Sequence, residues 1–158
     1  MRPNDLDLLR RAIALAARSR AAGNHPFGAL IAAADGAVLA EATNRAVPGK
    51  GDVTGHAELE AVRTASASHP PEVLRTATLY SSAEPCAMCA GAIYWAGIGR
   101  VVYGLAEARL LALTGRHPEN PTLALPCREV FARGQRPIEV AGPLLEDEAA
   151  AVHAGFWR

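Results

Sequence analysis

The sequence predicts a three-layer α/β domain with a mostly mixed sheet, and three observations carry this prediction. Segments with strand character alternate with segments of helical periodicity along the chain, an order typical of a sheet covered by helices. Asp35-Gly36 separates two apolar segments, 28–34 and 37–43, and this dipeptide is a strong signal for a β-hairpin turn. Pro85 follows a short strand-like segment and favours the start of a helix, since proline suits the first helical turn.

Helices are predicted where apolar residues recur every three to four positions and where suitable residues stand at the ends. Leu6, Leu9 and Ile13 show this spacing in the first helix. His69-Pro70-Pro71 ends the second helix, because a residue that precedes proline avoids the helical conformation. The predicted helices cover 5–22, 56–68, 86–96, 106–113, 127–133 and a C-terminal segment from about 143.

Strands are predicted for short apolar segments that are bounded by turn-forming residues. Two connecting segments, 47–55 and 114–126, are rich in glycine or proline and are predicted as loops. The predicted strands cover 28–34, 37–43, 77–82, 100–105 and 137–141. Because no repeat, linker or change in composition divides the chain, we expect one domain over residues 1–158.

The overall charge argues against nucleic acid as the main partner. Sixteen Lys and Arg residues balance sixteen Asp and Glu residues among 158, which gives a formal net charge of zero. Proteins that bind nucleic acid usually carry an excess of basic residues. Half of the residues are hydrophobic and a fifth are charged, as in a folded globular protein.

No segment of the sequence has the character of a signal peptide or a membrane span. The N-terminal residues reach Asp5 without an apolar core, which a signal peptide requires. The longest segment without charged or strongly polar residues, 87–99, is shorter than the roughly twenty residues that span a bilayer. We therefore expect a soluble, cytoplasmic protein without a membrane partner.

Two short motifs carry the chemistry, each at the predicted start of a helix. The first is His56-Ala57-Glu58, and the second contains Cys86 and Cys89 in a Cys-x-x-Cys spacing. Cysteines at helix N-termini have lowered pKa values and readily form the thiolate that zinc binds. Three protein ligands, His56 and the two cysteines, would leave the fourth zinc position open, as in catalytic sites. Glu58 would then lie near the metal without binding it and could act as a general acid and base.

This combination, H-x-E followed by P-C-x-x-C, is the signature of zinc-dependent base deaminases. On these residues the chain resembles the cytidine-deaminase-like superfamily, and specifically the branch of guanine and nucleoside deaminases that is related to tRNA adenosine deaminases. The resemblance also includes Pro26-Phe27-Gly28-Ala29, Asn44 and Ala92-Ile93-Tyr94-Trp95-Ala96. It is less clear beyond about residue 106.

The resemblance implies a three-layer α/β/α fold with a five-stranded mixed sheet, a Zn²⁺ cofactor and a homodimer with the active site near the subunit interface. It assigns the zinc ligands to His56, Cys86 and Cys89, and the proton shuttle to Glu58. It also implies three substrate contacts: the Asn44 side chain, the backbone N–H of Ala57 and the ring of Phe27.

Two other interpretations of the metal motif compete with a catalytic site. A structural zinc site needs a fourth protein ligand, for which Cys127 is the available cysteine, although it has no partner at short spacing. If the Cys-x-x-Cys were a redox site, it would not explain why His56 and Glu58 are present. We expect the open catalytic site, and we expect Cys127 to be a buried small apolar residue.

Several residues have simpler explanations beside the functional ones. An asparagine after a strand, such as Asn44, is ordinarily a turn former. Phe156 and Trp157 could close over a flat base, or they could dock the last helix on the core. Glu119 could be a second proton carrier or an exposed loop carboxylate. The other histidines are expected to be surface or loop residues: His25, His69, His117 and His153.

The expected substrate is a small heterocycle, with guanine or guanosine first. Pro26-Phe27-Gly28-Ala29 resembles the form in guanine and nucleoside deaminases, and the proline-rich region 120–130 departs from tRNA deaminases. The C-terminal segment contains Glu146-Asp147-Glu148 and no basic tail that would follow phosphates. A tRNA-specific adenosine (A-to-I) deaminase and a deaminase of cytosine or a triazine are the alternatives. A non-catalytic zinc protein is a third.

Overall fold

The computed structural model covers residues 1–158 and contains one mixed sheet. The strands are β1 (Gly28–Ala32), β2 (Val38–Thr43), β3 (Thr78–Ala83), β4 (Arg100–Leu105) and β5 (Glu139–Ala141). They lie in the order β2-β1-β3-β4-β5. The first three strands in this order are antiparallel, whereas β3, β4 and β5 are parallel.

Seven helices surround the sheet. They are α1 (Asp5–Ala21), α2 (Ala57–Ser68), α3 (Pro71–Thr76), α4 (Ala87–Ala96), α5 (Glu107–Thr114), α6 (Cys127–Ala132) and α7 (Glu146–Ala151). None of them combines the length and the apolar character that crossing a membrane requires.

The sheet divides the apolar core into two layers. Leu79 and Val101 point to a cluster that includes residues of α2, α4 and α6. Their neighbours Tyr80 and Val102 point to a second cluster, with residues of α1, α5 and α7. This alternation follows from the opposite directions of successive side chains along a strand. The α/β/α prediction with a five-stranded mixed sheet is therefore confirmed.

A buried ion pair ties the start of α1 to the sheet. Two guanidinium nitrogens of Arg100 donate to the two carboxylate oxygens of Asp5, each over 2.7 Å. The Tyr80 hydroxyl donates to the same carboxylate over 2.8 Å. Although burial opposes ionisation, the hydrogen bonds from Arg100, the Arg2 backbone and Tyr80 hold the pKa of Asp5 well below its usual range.

Several element bounds differ from the prediction, and one helix was not predicted. The first strand ends at Ala32, and the last helix begins at Glu146, after Leu145 adopts a left-handed backbone with φ of 51°. The short helix α3 is not among the predicted helices, because Pro70 and Pro71 indicate the end of the preceding helix. Pro71 instead occupies the first position of α3, where its missing N–H costs nothing.

The strand register brings four connecting segments to one edge of the sheet. Gly28 at the start of β1 pairs with Thr43 at the end of β2. Ala83 at the end of β3 pairs with Leu105 at the end of β4, and β1 runs antiparallel to β3. The residues just before β1 and just after β2, β3 and β4 therefore meet there, which is where open α/β sheets place their ligands.

Candidate active site

The two sequence motifs lie at the N-termini of α2 and α4, at this edge of the sheet. His56 and Cys86 are the N-cap residues, both with extended backbone. Cys89 lies one turn into α4, on the same helix face as Cys86. The first N–H groups of a helix have no intrahelical acceptor and carry partial positive charge, so both helices present positive ends to the region between them.

The three predicted ligand atoms form a compact cluster. His56 Nδ1 lies 3.5 Å from Cys86 Sγ and 3.6 Å from Cys89 Sγ, and all three ligand atoms lie within 4.8 Å of one another. Tetrahedral zinc with its usual bond lengths to nitrogen and sulfur separates these atoms by about 3.6 Å. The cluster therefore fits zinc, and the separations are those between ligands of one ion rather than good hydrogen bonds.

The electrostatics of the cluster favour a thiolate. A hydrogen bond from the Cys89 thiol and the neighbouring His56 imidazole lower the pKa of Cys86 to about 4, against the opposing effect of burial. Cys127 is not part of the cluster. It is fully buried, and burial raises its pKa to about 12. The structure thus brings together three ligands without a fourth, as expected of an open site.

Glu58 lies in the first turn of α2 and is 5% exposed. The Ser81 hydroxyl on β3 donates to Glu58 Oε1 over 2.9 Å. The other oxygen, Oε2, lies 3.9 Å from Cys89 Sγ. Burial raises the pKa of Glu58, which favours a carboxyl that can hold a proton. Sequence analysis missed Ser81, because no local pattern marks a strand serine that contacts a distant glutamate.

A cavity of about 420 Å³ opens beside the cluster, within the usual size range of small-molecule sites. Its lining includes His56, Glu58 and Cys86, together with Phe27 and Asn44. The structure therefore brings both side chains predicted to contact the substrate into one cavity with the predicted metal site and Glu58.

Asn44 serves as a turn former and also faces the cavity. It is 2% exposed, and its Oδ1 accepts a hydrogen bond of 2.8 Å from the Ala46 N–H. Its amide nitrogen has no protein partner. Ala57 does not line the cavity with its side chain, but it is the first residue of α2, so its N–H lacks an intrahelical acceptor.

The C-terminal aromatic residues pack behind the cavity wall. The Trp157 ring lies 5.2 Å from the His25 ring and 6.2 Å from the Phe27 ring, measured between centroids. Neither Trp157 nor Phe156 lines the cavity. In this structure Phe156 and Trp157 therefore dock the chain end on the core, which is the second of the two interpretations of these residues.

His25 and His153, expected to be surface or loop residues, lie outside the helices and strands and are buried. His25 is 4% exposed and lines the cavity. His153 is 3% exposed, and its Nδ1 accepts a hydrogen bond of 3.0 Å from the Trp157 indole. His25 packs against Trp157, and His153 packs against Phe27; both contacts join residues far apart in the sequence, which periodicity does not reveal.

The roles of two glutamates that line the cavity, Glu84 and Glu107, were also missed. Glu84 accepts hydrogen bonds of 3.0 Å from the backbone N–H groups of Glu107 and Cys127, and so holds the starts of α5 and α6. Glu107 is half-buried, and burial together with the charge of Cys86 raises its pKa to about 7. The position of Glu84 directly before Pro85 in the second motif is the only local signal for it.

The charged side chains that line the cavity are acidic. They are Glu58, Glu84, Glu107 and Glu119. Two histidines, His25 and His56, also line it, but no lysine or arginine does. The cavity therefore offers hydrogen-bond acceptors and imidazole groups, and it lacks the fixed cations that bind phosphate.

A three-layer α/β fold with a His-Cys-Cys cluster beside a buried glutamate defines the class of zinc-dependent deaminases. The chain belongs to the family described as the cytidine and deoxycytidylate deaminase zinc-binding region, whose model matches residues 2–105. The predicted resemblance, the zinc cofactor and the assignment as a hydrolytic deaminase are thereby confirmed.

Relatives of the chain differ in their substrates. A probable cytosine deaminase of Schizosaccharomyces pombe is 45% identical over 153 residues, which is 97% of this chain and 92% of that protein. The guanine deaminase of Bacillus subtilis is 45% identical over 101 residues, 63% of this chain and 64% of that protein. A tRNA-specific adenosine deaminase of Haemophilus influenzae is 34% identical over 112 residues, 71% of this chain and 64% of that protein.

Solved structures share the fold over most of the chain. A guanine deaminase from Nitrosomonas europaea superposes with a TM-score of 0.74 at 30% identity, covering 92% of this chain and 80% of that one.

Proposed function

We propose that this deaminase removes an exocyclic amine from an unphosphorylated nucleobase or nucleoside, with guanine or guanosine as the first candidate. The observation that carries the proposal is the cavity itself. Its lining includes Glu58 and two members of the His-Cys-Cys cluster, His56 and Cys86, and contains no lysine or arginine.

In this proposal His56, Cys86 and Cys89 hold the zinc. The assignment is supported by the distances of 3.5 and 3.6 Å from His56 Nδ1 to the two sulfur atoms, which match the separation of about 3.6 Å between two ligands of one tetrahedral zinc ion. Bound zinc supplies a nucleophile at neutral pH by lowering the pKa of a coordinated water. The chain leaves the fourth position free, because no other His, Cys, Asp or Glu side chain joins the cluster.

Glu58 acts as the proton carrier. Ser81 holds its Oε1, so Oε2 is the oxygen that takes up and releases the proton. Oε2 takes a proton from the water that adds to the amine-bearing carbon and gives it to a ring nitrogen of the substrate. It then takes a second proton from the newly added hydroxyl and gives it to the amine, so that the C–N bond breaks, a carbonyl forms and ammonia departs. Burial, which raises the pKa of Glu58, supports this role because a general acid must hold its proton near neutral pH.

Asn44, Ala57 and Phe27 orient the heterocycle. Because the Asn44 oxygen is engaged by Ala46, its free amide N–H groups would donate to an acceptor of the substrate. The Ala57 N–H would donate to a ring carbonyl. Phe27, held from behind by His153 with ring centroids 5.2 Å apart, would contact the flat ring.

Cytosine is the second candidate, favoured by a specific observation. The similarity to the probable cytosine deaminase extends over 97% of this chain, including the region beyond residue 106, whereas the similarity to the Bacillus guanine deaminase covers 63%. The acidic cavity argues against tRNA, since phosphate contacts require cationic side chains.

The test is an ammonia-release screen of the zinc-loaded protein. The substrates are guanine, guanosine, cytosine, adenine, an aminotriazine, GMP and an adenosine-containing anticodon stem-loop. We expect ammonia from at least one unphosphorylated heterocycle, at a much higher kcat/KM than from GMP or the stem-loop. Preferential conversion of the stem-loop adenosine to inosine would replace the proposal with the tRNA alternative.

We also propose that the protein is a homodimer that associates through the α4 face next to the cavity. Met88 lines the cavity, and Trp95 lies two helical turns further along the same face, 85% exposed. Large exposed aromatic residues are typical of interfaces. Sedimentation analysis should find a dimer, and Trp95→Glu should shift it to a monomer; a monomeric wild type would contradict this proposal.

A further inference from the structure

A hydrogen bond joins two cavity residues that take no part in the proposed proton transfers. His25 Nε2 lies 2.8 Å from Glu119 Oε2, and the two residues are 94 positions apart. The His25 side chain is 5% exposed, whereas that of Glu119 is 42% exposed. A buried imidazole therefore holds a carboxylate that extends into the mouth of the cavity.

The chemistry of the two groups sets the direction of this bond. An ionised carboxylate only accepts hydrogen bonds, so His25 donates through its Nε2–H. This hydrogen bond lowers the pKa of Glu119, which keeps the carboxylate ionised. The other oxygen, Oε1, has no protein partner and is available to an N–H donor in the cavity.

His25 is held through both its backbone carbonyl and its imidazole ring. The Ser19 hydroxyl on α1 donates to the His25 carbonyl over 2.7 Å. The rings of Phe156 and Trp157 lie 6.0 and 5.2 Å from the imidazole. Trp157 also lies 5.2 Å from the ring of His117, which belongs to the same loop as Glu119. The chain end thus braces both the histidine and the loop that it contacts.

We propose that His25 is a positioning residue that acts through Glu119, holding one carboxylate oxygen so that the other receives an N–H group of the bound heterocycle. This inference rests on the proposed function, and it adds that the substrate presents an N–H or amino donor at the cavity mouth. It also gives the C-terminal aromatic residues an indirect task, since they support the imidazole rather than contact the base.

The test is a double-mutant cycle on the substrate identified by the ammonia screen. His25→Leu removes the donor and should raise KM roughly tenfold, since a hydrogen bond to a charged group is lost, with kcat changed less than threefold. His25→Gln places an amide N–H near the position of Nε2–H and should restore KM to within threefold of wild type. Glu119→Ala should raise KM at least as much as His25→Leu.

The decisive comparison is His25→Leu in the Glu119→Ala background. If His25 acts through Glu119, the double variant has the same KM as Glu119→Ala alone. An additional tenfold increase in the double variant, or an unchanged KM in His25→Leu, would overturn the proposal. His69→Leu, a matched change at the end of α2, should leave KM unchanged.

A second measurement does not depend on activity. Because His25 holds the loop through Glu119, His25→Leu should accelerate tryptic cleavage after Arg116 severalfold under native conditions, and His25→Gln should not. Equal cleavage rates for wild type and His25→Leu would contradict the proposal by themselves. If the wild type releases no ammonia from any heterocycle, the proposed function fails, and the cleavage rates still decide whether His25 holds the loop.

Discussion

Replacing Glu58 by glutamine tests the proton carrier with little change in shape. The glutamine oxygen can accept the same hydrogen bond from Ser81 that Glu58 Oε1 accepts over 2.9 Å. The side chain keeps its volume in a site that is 5% exposed. The folded structure should therefore persist, and what is lost is the ability to carry a proton.

The expected loss follows from general acid–base catalysis, which contributes about 10²- to 10⁴-fold to a rate. Glu58→Gln should therefore lower kcat by at least about a hundredfold, equivalent to roughly 3–5 kcal/mol of transition-state stabilisation. Zinc content should stay near one per chain, because Glu58 lies outside the ligand cluster. The assay combines ammonia release, metal analysis and the thermal midpoint Tm.

The matched control is Glu60→Gln on the same helix. Glu60 forms surface ion pairs with Arg45 and Arg63 and does not line the cavity. The Glu60→Gln variant should retain a kcat within twofold of wild type. Two results would refute the reasoning: Glu58→Gln with more than a tenth of wild-type kcat, or a loss of zinc that parallels the loss of activity.

Three further predictions concern stability and the metal. Arg100→Met leaves the Asp5 carboxylate buried without its cationic partner, so urea denaturation should show a loss of about 3–5 kcal/mol. Arg10→Met, at an exposed ion pair with Glu148, should lower the unfolding free energy far less, because water and salt screen exposed charges; equal losses would contradict this account. Burial lowers the pKa of His153 from 6.5 to about 4, so the unfolded chain binds a proton in this range that the folded protein does not. The stability that neutral His153 allows is therefore complete above about pH 6.5, and up to about 3 kcal/mol of unfolding free energy is lost as the pH falls towards 4. The difference in unfolding free energy between wild type and His153→Phe should vary across this pH window. A constant difference would refute the assignment. Finally, a strong chelator should abolish ammonia release and lower Tm, and added zinc should restore both; activity that survives complete metal removal would contradict a zinc-dependent reaction.

Much of the metal site could be predicted because its parts are local in sequence. His56 and Glu58 belong to one helix start, and Cys86 and Cys89 to another, so residue spacing alone places the two cysteines on one helix face and Glu58 in the turn that follows His56. The alternation of strands and helices similarly predicted the layers, since it reflects the periodicities of buried faces. The helix α3 was not predicted, because two adjacent prolines signal a helix end and a helix start equally well.

The cavity walls could not be predicted in the same way. His25 and Glu119 are 94 residues apart, and Glu58 and Ser81 are 23 apart. Neither contact leaves a periodic trace, because each depends on which strands and loops become neighbours in space. The packing of His153 against Phe27 has the same origin.

The sequence by itself determined the fold class, the family and the motif chemistry of His56, Glu58, Cys86 and Cys89. Short-range spacing and helix-start chemistry suffice for these. Only the tertiary structure decided that Trp157 packs behind Phe27 rather than in the cavity, that Glu119 is held by His25, and that no lysine or arginine lines the walls. The physical reason is the strand register, which gathers segments that are distant along the chain at one edge of the sheet.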